Sequence, residues 1–325
     1  MDAIVYRLES RDFMEMEHAL SAWDHRYRQI SPGAFQGSLL HTQVGSLGIF
    51  RNRWESAIHY RGVAPEGTIA LAFTLAQSGE GRWMGQRMGP DDMIVASCGA
   101  EGDYLSAPLW DSVVFAIPEA MLAQQIADIT HDDPRNFIVH GIARLTPQVS
   151  AQVRQAAMAY LDAAARSLVR PDAPSPLPEM AKSIIELMAH ALVSVQPPRA
   201  PKQSLNRQRQ LFRTAEDYCA HNKDQPLRIS RLCREIDVSE RTLRDVFHNL
   251  TGMSPLAYLK TEQLNRVYRT LHNADPAEVL IKQTAYRNGF RHVGQFCGDY
   301  KHLFGELPSE TLQRRTPSTT HWRTS

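Results

Sequence analysis

The spacing of apolar residues changes character along the chain. Between Phe35 and Phe115, β-branched and aromatic residues come in short runs broken by turn signals, at residues 38–44, 47–54, 68–76, 92–97 and 112–117. Short strands with such regular punctuation predict an antiparallel sandwich or barrel. Ahead of this stretch, residues 12–29 read as a helix, followed by the Ser31-Pro32-Gly33 turn. Behind it, Pro118 opens a short helix to residue 129, because proline suits the first helical turn. Thr146 and Pro147 form a cap and first-turn pair for a helix to residue 169, with Val149, Val153, Ala157, Tyr160, Leu161, Ala164 and Leu168 at helical spacing. A second such helix, residues 177–195, is apolar at Met180, Ile184, Leu187, Met188, Ala191 and Leu192. This pair is either a dimer interface or a layer packed on the sheet. The Pro-rich polar segment 196–204 reads as an interdomain linker.

Beyond the linker the period is helical throughout. Ile229, Leu232, Cys233 and Ile236 recur at i, i+3, i+4 and i+7, and the spacing returns after Asp237-Val238-Ser239 at Leu243, Val246, Phe247 and Leu250. Two short amphipathic helices a few residues apart are the helix-turn-helix signature. Ser239 can cap the second helix, and Gly252 can end it in a left-handed turn. Ser254 and Pro255 start a longer helix to residue 272, roughly 28 Å long at 1.5 Å per residue. The pattern then repeats at an offset of 53 residues, pairing Leu243 with Phe296, Phe247 with Tyr300, Leu250 with Leu303, Gly252 with Gly305, Pro255 with Pro308 and Leu259 with Leu312. Both cores and both stop signals align, which implies two similar units joined by the helix 254–272. Reading helices at the two ends of such a rod could fall near one turn of B-DNA apart, about 34 Å.

Charge sharpens this picture. The whole chain has a formal net charge of +1, yet residues 202–325 carry +7 and the remainder −6. Such asymmetry points one half toward a polyanion. At 325 residues the chain is long enough for two domains and needs no disulfide or metal staple. Cys98, Cys219, Cys233 and Cys297 are far apart and form no CxxC pair, which suits a reducing compartment and argues against structural zinc. Cys233 and Cys297 fall on apolar stripes and are expected in the core. The N-terminus lacks a signal-peptide core, and no stretch approaches the ~20 apolar residues of a membrane span. A cytoplasmic protein with no membrane partner and no cofactor is expected.

The strings ISRLCREIDVSERTLRDVFHNLTGMSPLAYL (residues 229–259) and QTAYRNGFRHVGQFCGDYKHLFGELPSETL (residues 283–312) resemble the DNA-binding domain of the arabinose-operon-activator (AraC/XylS) family. Gly289-Phe290, Phe296, Tyr300, Phe304-Gly305 and Pro308 carry the motif. Within the family, residues 292–300 and the stretch 19–35 with Ile49-Phe50-Arg51 look most like the ethanolamine-utilisation regulator subgroup. The resemblance implies a regulator that binds double-stranded promoter DNA and a small-molecule effector; as an activator it would also meet RNA polymerase, and the helical pair could join a second copy of the chain. Family register puts base contacts of the first unit at Arg241, Arg244 and Asp245, with His248 on the same outward face. An arginine there could be bidentate to guanine, worth about 1–3 kcal/mol of discrimination. The plainer reading is a solvated face with Arg241 and Asp245 as an i, i+4 pair. In the second unit the register gives Val293, Gly294, Cys297 and Gly298. The family often places a long polar side chain at the position of Gly298. Two glycines cost a helix roughly 1 kcal/mol each and donate no side-chain bonds. Either the backbone approaches DNA closely there or this unit reads shape and thymine methyls through Val293, and most base specificity is expected from the first. Arg291, His292, Lys301 and His302 suit phosphates.

The fold class that follows is a two-domain α+β chain. A β-rich, sandwich or barrel-like sensor with flanking helices takes residues 1–195, an all-α double helix-turn-helix takes 205–315, and 316–325 form a flexible tail. Trp54, Phe73, Trp83, Tyr104 and Trp110 are the candidate effector-binding aromatics, with ordinary core packing as the competing reading. Glu55, Asp91, Asp92 and Asp103 could meet a small amine or simply mark turns. His41 and His59 stand alone, and there is no GxSxG elbow or phosphate-cradling glycine loop, so no catalytic or metal-ligating residue is expected. The alternatives are a ligand-independent repressor or architectural protein, and an enzyme fused to a DNA-binding domain.

Overall fold

The alternation of side chains along each strand decides how this chain is layered. The structure, a computed structural model, describes residues 3–170, 174–195, 203–314 and 323–324. In chain order β1 (Ala3–Ser10), α1 (Phe13–His18) and β2 (Asp24–Gln29) lead into β3 (Gly37–Val44), β4 (Leu47–Trp54), β5 (Ile58–Val63), β6 (Thr68–Ala76), β7 (Arg82–Trp83), β8 (Gln86–Arg87), β9 (Asp92–Ala96), β10 (Gly102–Leu105) and β11 (Trp110–Pro118). Then come α2 (Glu119–Thr130), β12 (Gly141–Arg144), α3 (Pro147–Val169) and α4 (Leu177–Val193). The helical region holds α5 (Gln203–His221), α6 (Ile229–Glu235), α7 (Glu240–Thr251), α8 (Pro255–His272), α9 (Ile281–Arg287), α10 (Val293–Phe304) and α11 (Pro308–Gln313). Of the tail, Arg323–Thr324 is described, as a short strand β13 beside β1. Most of the linker lies outside the described residues, and Gln203 and Ser204 already belong to α5.

Two antiparallel sheets face each other. One has the order β12-β9-β6-β11-β4-β3-β1-β13, the other β2-β5-β10-β7-β8. On the larger sheet Ile49, Leu71, Phe73, Val95, Val113, Phe115 and Ile117 point outward into a core completed by α2, α3 and α4. Their neighbours of opposite parity, Phe50, Trp54, Ala70, Ile94, Ala96 and Val114, point inward toward the second sheet. The apolar stripes of α3 and α4 are thus spent on the sheet, through Val153, Ala157, Tyr160 and Leu161 on one and Ile184, Ile185, Met188 and Leu192 on the other. Of the two readings of this helical pair, packing on the sheet is the one observed.

The expected helix over residues 12–29 is corrected. Asp12 does cap a helix, its side chain accepting from the Met14 amide, but the helix ends at His18. Residues 24–29 form β2 instead, paired antiparallel with β5. His25 and Tyr27 point to the sheet interior and Arg28 to the other side, an alternation of period two that the helical reading missed.

The internal repeat is observed in three dimensions. Leu243 and Phe296 are both fully buried, Gly252 and Gly305 end α7 and α10 at φ 73° and 74°, and Pro255 and Pro308 start the following helices. Ser239 caps α7 by accepting from the Thr242 amide. The two units differ in what they pack on. The first has its own core, from Phe212, Leu232, Cys233, Leu243, Phe247, Tyr258 and neighbours. The second shares one continuous core with the β domain: Tyr268 and Phe304 lie 4.8 and 6.3 Å from Phe13, centroid to centroid. The layers therefore run helices, sheet, sheet, helices, and the small sheet has the helix-turn-helix region on its outer face.

Candidate functional site

α7 and α10 are the second helices of the two units, and each turns a free face outward. Arg241, Arg244, Asp245 and His248 are all exposed on α7. Arg241 and Asp245 stand 4.0 Å apart as an exposed pair, which is weak enough for a base edge to displace. On α10, Gly294 and Gly298 are exposed, and a Cβ built on either meets nothing within 4 Å. Val293 and Cys297 are half-buried beside them, and Lys301 is exposed one turn further on. On each helix the residues singled out in the sequence are exposed or half-buried. Arg291 and His292 are exposed ahead of α10, but Arg291 Nη2 donates to the Asp224 carbonyl at 2.7 Å. That bond ties the turn of the second unit to the α5–α6 connection, which leaves part of the guanidinium for a phosphate.

The C-terminal ends of α7 and α10 are held by the β domain. Arg82 of β7 donates to the Asn249 carbonyl near the end of α7, and Gly85, in the left-handed turn after β7, lies against Leu250 with no space for a Cβ. At α10, the Gly33 amide lies 3.2 and 3.1 Å from the carbonyls of His302 and Leu303. Gly305 abuts Ala34, where a Cβ would stand 2.7 Å from its backbone nitrogen. Each helix is gripped at its C-terminal end, and its N-terminal turn stays largely exposed.

Between these points runs a buried polar seam that sequence reasoning missed. Gln29 lies on β2, an edge strand whose outer backbone groups need partners. Asn265 of α8 supplies them: its Oδ1 accepts from the Gln29 amide at 3.0 Å and its Nδ2 donates to the Gln29 carbonyl at 2.8 Å. Arg28 Nε pairs with Glu262 at 2.9 Å, and Arg61 joins Glu216 at 2.8 Å and Asp103 at 3.0 Å. The Tyr258 hydroxyl donates to Glu216 at 2.9 Å and lies 2.7 Å from His59 Nδ1. Burial pushes the Asp103 carboxyl up, but the neighbouring His59 and Arg61 outweigh it and hold the group below the usual carboxylate range. Arg269 donates to both Glu17 oxygens at 2.8 and 2.6 Å, reaching α1 from α8. A seam of this kind specifies one docking geometry more than it adds stability, since desolvation offsets the Coulomb gain. Its signal in the sequence was the charged alternation of β2 and the polar stripe Glu262, Asn265, Arg269 on α8, at spacings of three and four residues.

On its other face the small sheet closes a cavity of about 70 Å³ against the large one. Trp54, Trp83, Tyr104 and Trp110 line it, as expected, together with His25, Tyr27, Phe50, Asn52 and Tyr60, which sequence reasoning did not single out. Phe73 does not: its parity on β6 puts it on the outer face of the large sheet, under the guanidinium of Arg154 at 4.4 Å. The cavity wall includes Ala70, Ala72 and Ala96, whose small side chains leave the space. None of the four acids considered for an amine lines it. Asp103 faces the seam, Asp92 is bound to Arg144, and Glu55 opens on a surface cleft. The cavity and seam lie back to back, since Tyr60 and Tyr104 face one while Arg61 and Asp103, their chain neighbours, face the other.

Residues 232–314 match the helix-turn-helix domain family. A "Probable thc operon regulatory protein" of Rhodococcus erythropolis is 39% identical over 103 residues, 32% of this chain and 31% of that protein. The chain thus spans about a third of that relative's length. A "XylDLEGF operon transcriptional activator" of Pseudomonas putida is 19% identical over 325 residues, covering 97% of this chain and 98% of its own. Among solved structures, a "probable AraC family transcriptional regulator" from Rhodopseudomonas palustris is 34% identical over 33% of this chain and 99% of that one, with a TM-score of 0.29. The helix-turn-helix match and the curated relatives, operon regulators by name, support a DNA-binding regulator of transcription.

Proposed function

We propose that the protein is a sequence-specific regulator of transcription that binds promoter DNA through α7 and α10, and whose DNA affinity is set by a small molecule held between its two sheets. The observation that carries this reading is the pair of open reading faces on one chain, both gripped from behind by the domain that contains the cavity. α8 fixes their separation, being 18 residues long, or roughly 27 Å. The first unit carries the guanine-reading chemistry through Arg241 and Arg244. The second approaches DNA with its glycine face and reads shape. The names of the Pseudomonas relatives favour activation, which adds RNA polymerase as a partner. A homodimer through α3 and α4 is not part of the proposal, because their apolar faces are already buried. Nor is a place beside the ethanolamine-utilisation regulator, whose stretches here fall on β2, β4 and α10.

Selection of bound DNA from a random pool at about 150 mM salt, where nonspecific phosphate binding is weak, tests the reading. The native chain is expected to enrich one motif, and the doubly substituted Arg241→Ala, Arg244→Ala chain to lose it. Equal enrichment profiles for the two proteins would refute base reading by α7.

A further inference from the structure

The cavity between the sheets owes its space to alanines. Ala70 and Ala72 of β6 and Ala96 of β9 stand on the inward face of the large sheet, and Ala70 is the direct cross-strand partner of Ala96. Buried strand positions ordinarily carry β-branched or aromatic residues, and alanine is depleted there. Protein interiors keep few voids larger than a water molecule, because an unfilled one costs stability in proportion to its volume. Most of the remaining wall is rings. Trp54 stacks on Trp110 at 4.5 Å, Tyr104 lies 5.2 Å from Trp110, and Tyr27 meets Trp54 edge to face at 5.3 Å. Polar atoms of these rings are engaged with the protein. The Trp54 indole N–H donates to Ser106 Oγ at 3.3 Å, and the Tyr104 hydroxyl bonds with Trp110 and Thr74. No Lys, Arg, Asp or Glu side chain lines the space, and the surface that faces it is carbon almost throughout.

From this lining we infer that the cavity binds a small, wholly apolar molecule, a short hydrocarbon without a polar head group. Water is a poor occupant, because it needs several polar partners and the wall supplies none. An ionised ligand would leave water without a counter-charge, and an alcohol or carboxylic acid would bury a hydrogen-bonding group unpaired. A hydrocarbon loses nothing of this kind and gains close contact with the rings and alanines. At about 70 Å³ the space is roughly half that of an engineered apolar cavity that holds benzene, which sets the size at about three or four carbons. Drug-sized ligands need cavities several times larger. Trp54 and Trp110 also line the surface cleft beside Leu109, so these two indoles separate the cavity from solvent and the entry route runs past them.

This inference deepens the effector-controlled reading above and rests on it; its test uses no DNA, so that the site and the DNA reading can fail separately. The full-length protein, isotopically labelled at its alanine methyl groups, is titrated under pressure with propane, and then with ethanol and ethylammonium, which have the same number of heavy atoms. Propane is expected to shift the methyl signals of Ala70, Ala72 and Ala96 saturably, with a dissociation constant of about 1 mM, near the best that so few atoms allow. Ethanol should bind at least about tenfold more weakly, and ethylammonium not at all. Ala70→Val keeps a residue suited to a strand and fills the space, so it should fold at least as stably as the native chain and show no propane shift at Ala72 or Ala96. Ala96→Ser, which puts a hydroxyl on the wall, should narrow the preference for propane over ethanol. Ethanol or ethylammonium binding as tightly as propane would overturn the ligand class. The absence of saturable shifts at these alanines in the folded native chain, or their persistence in Ala70→Val, would overturn the site.

Discussion

Asn265→Ala tests the docking of the two domains most economically. Asn265 is 2% exposed and makes three hydrogen bonds, to the Gln29 amide, the Gln29 carbonyl and the Thr261 carbonyl. Thr261 lies one turn earlier on the same helix, so its carbonyl keeps a helical partner. The two Gln29 groups sit on the outer edge of β2 and have no strand to pair with. Alanine would leave a buried N–H and a buried C=O unsatisfied, each costing about 1–3 kcal/mol. The expected loss is therefore about 2–6 kcal/mol, larger than the cost of removing a solvated amide. Urea denaturation of the full chain, followed by tryptophan fluorescence for the β domain and by circular dichroism for the helices, reads it. Separation of the two transitions in the variant would show that docking, and not one domain alone, has weakened. A loss under about 0.5 kcal/mol with coincident transitions would refute the reasoning, because it would mean that the seam admits water to Gln29.

Other predictions follow from the same geometry. His272 stands 3.0 Å from Asp12 across the domain boundary, and its hydrogen bond to that carboxylate raises its pKa above the ordinary 6.5, burial opposing. Asp12 is pushed up by burial but held below its ordinary 3.8 overall by His272 and other partners. A raised histidine stabilises the fold below 6.5 and ceases to as pH climbs through the raised value; a depressed carboxylate stabilises above 3.8 and ceases to as pH falls through the lowered one. The pair thus contributes most between pH 3.8 and 6.5, and His272→Gln should flatten the stability loss on the alkaline side of that window, measured by thermal melts from pH 5 to about 9. Gly305→Ala combines a left-handed φ of 74° with a clash against Ala34, and should destabilise by at least about 1 kcal/mol in the same denaturation assay. Arg244→Ala should relax base preference in one half of the DNA site at about 1–3 kcal/mol, whereas Arg291→Ala should weaken binding to all sequences alike, read from selected pools. Identical specificity profiles for those two variants would contradict the division of labour.

What the sequence disclosed, it disclosed where local pattern and tertiary role agree. The second helices of the repeat have a one-sided apolar stripe, a cap and a glycine stop, so Leu243, Phe247, Gly252 and their partners 53 residues on were legible. The strands β4 and β6 were bounded by turns and came out at their observed limits. β2 did not, because Asp24–Gln29 alternates rings with arginines, and a charge buried against another domain looks like a solvated one until the partner is known. Phe73 was a cavity candidate with core packing as the competing reading, and core packing is what is observed: aromatic character shows burial, but only strand parity shows which side of the sheet it serves. Applying that parity to β4 would have picked Phe50 and Asn52 along with Trp54. The seam around Glu216, Arg61 and Asn265 joins residues more than 150 positions apart, so the polar stripe on α8 and the charged alternation of β2 did not point to each other.

The central claim is that one chain reads two successive major-groove segments on one face of DNA. Hydroxyl-radical footprinting on the selected site measures it directly. Two protected blocks about 10 base pairs apart on the same face, with the Arg241→Ala, Arg244→Ala chain losing one block first, are the predicted result. A single block, or two blocks on opposite faces, would contradict the account.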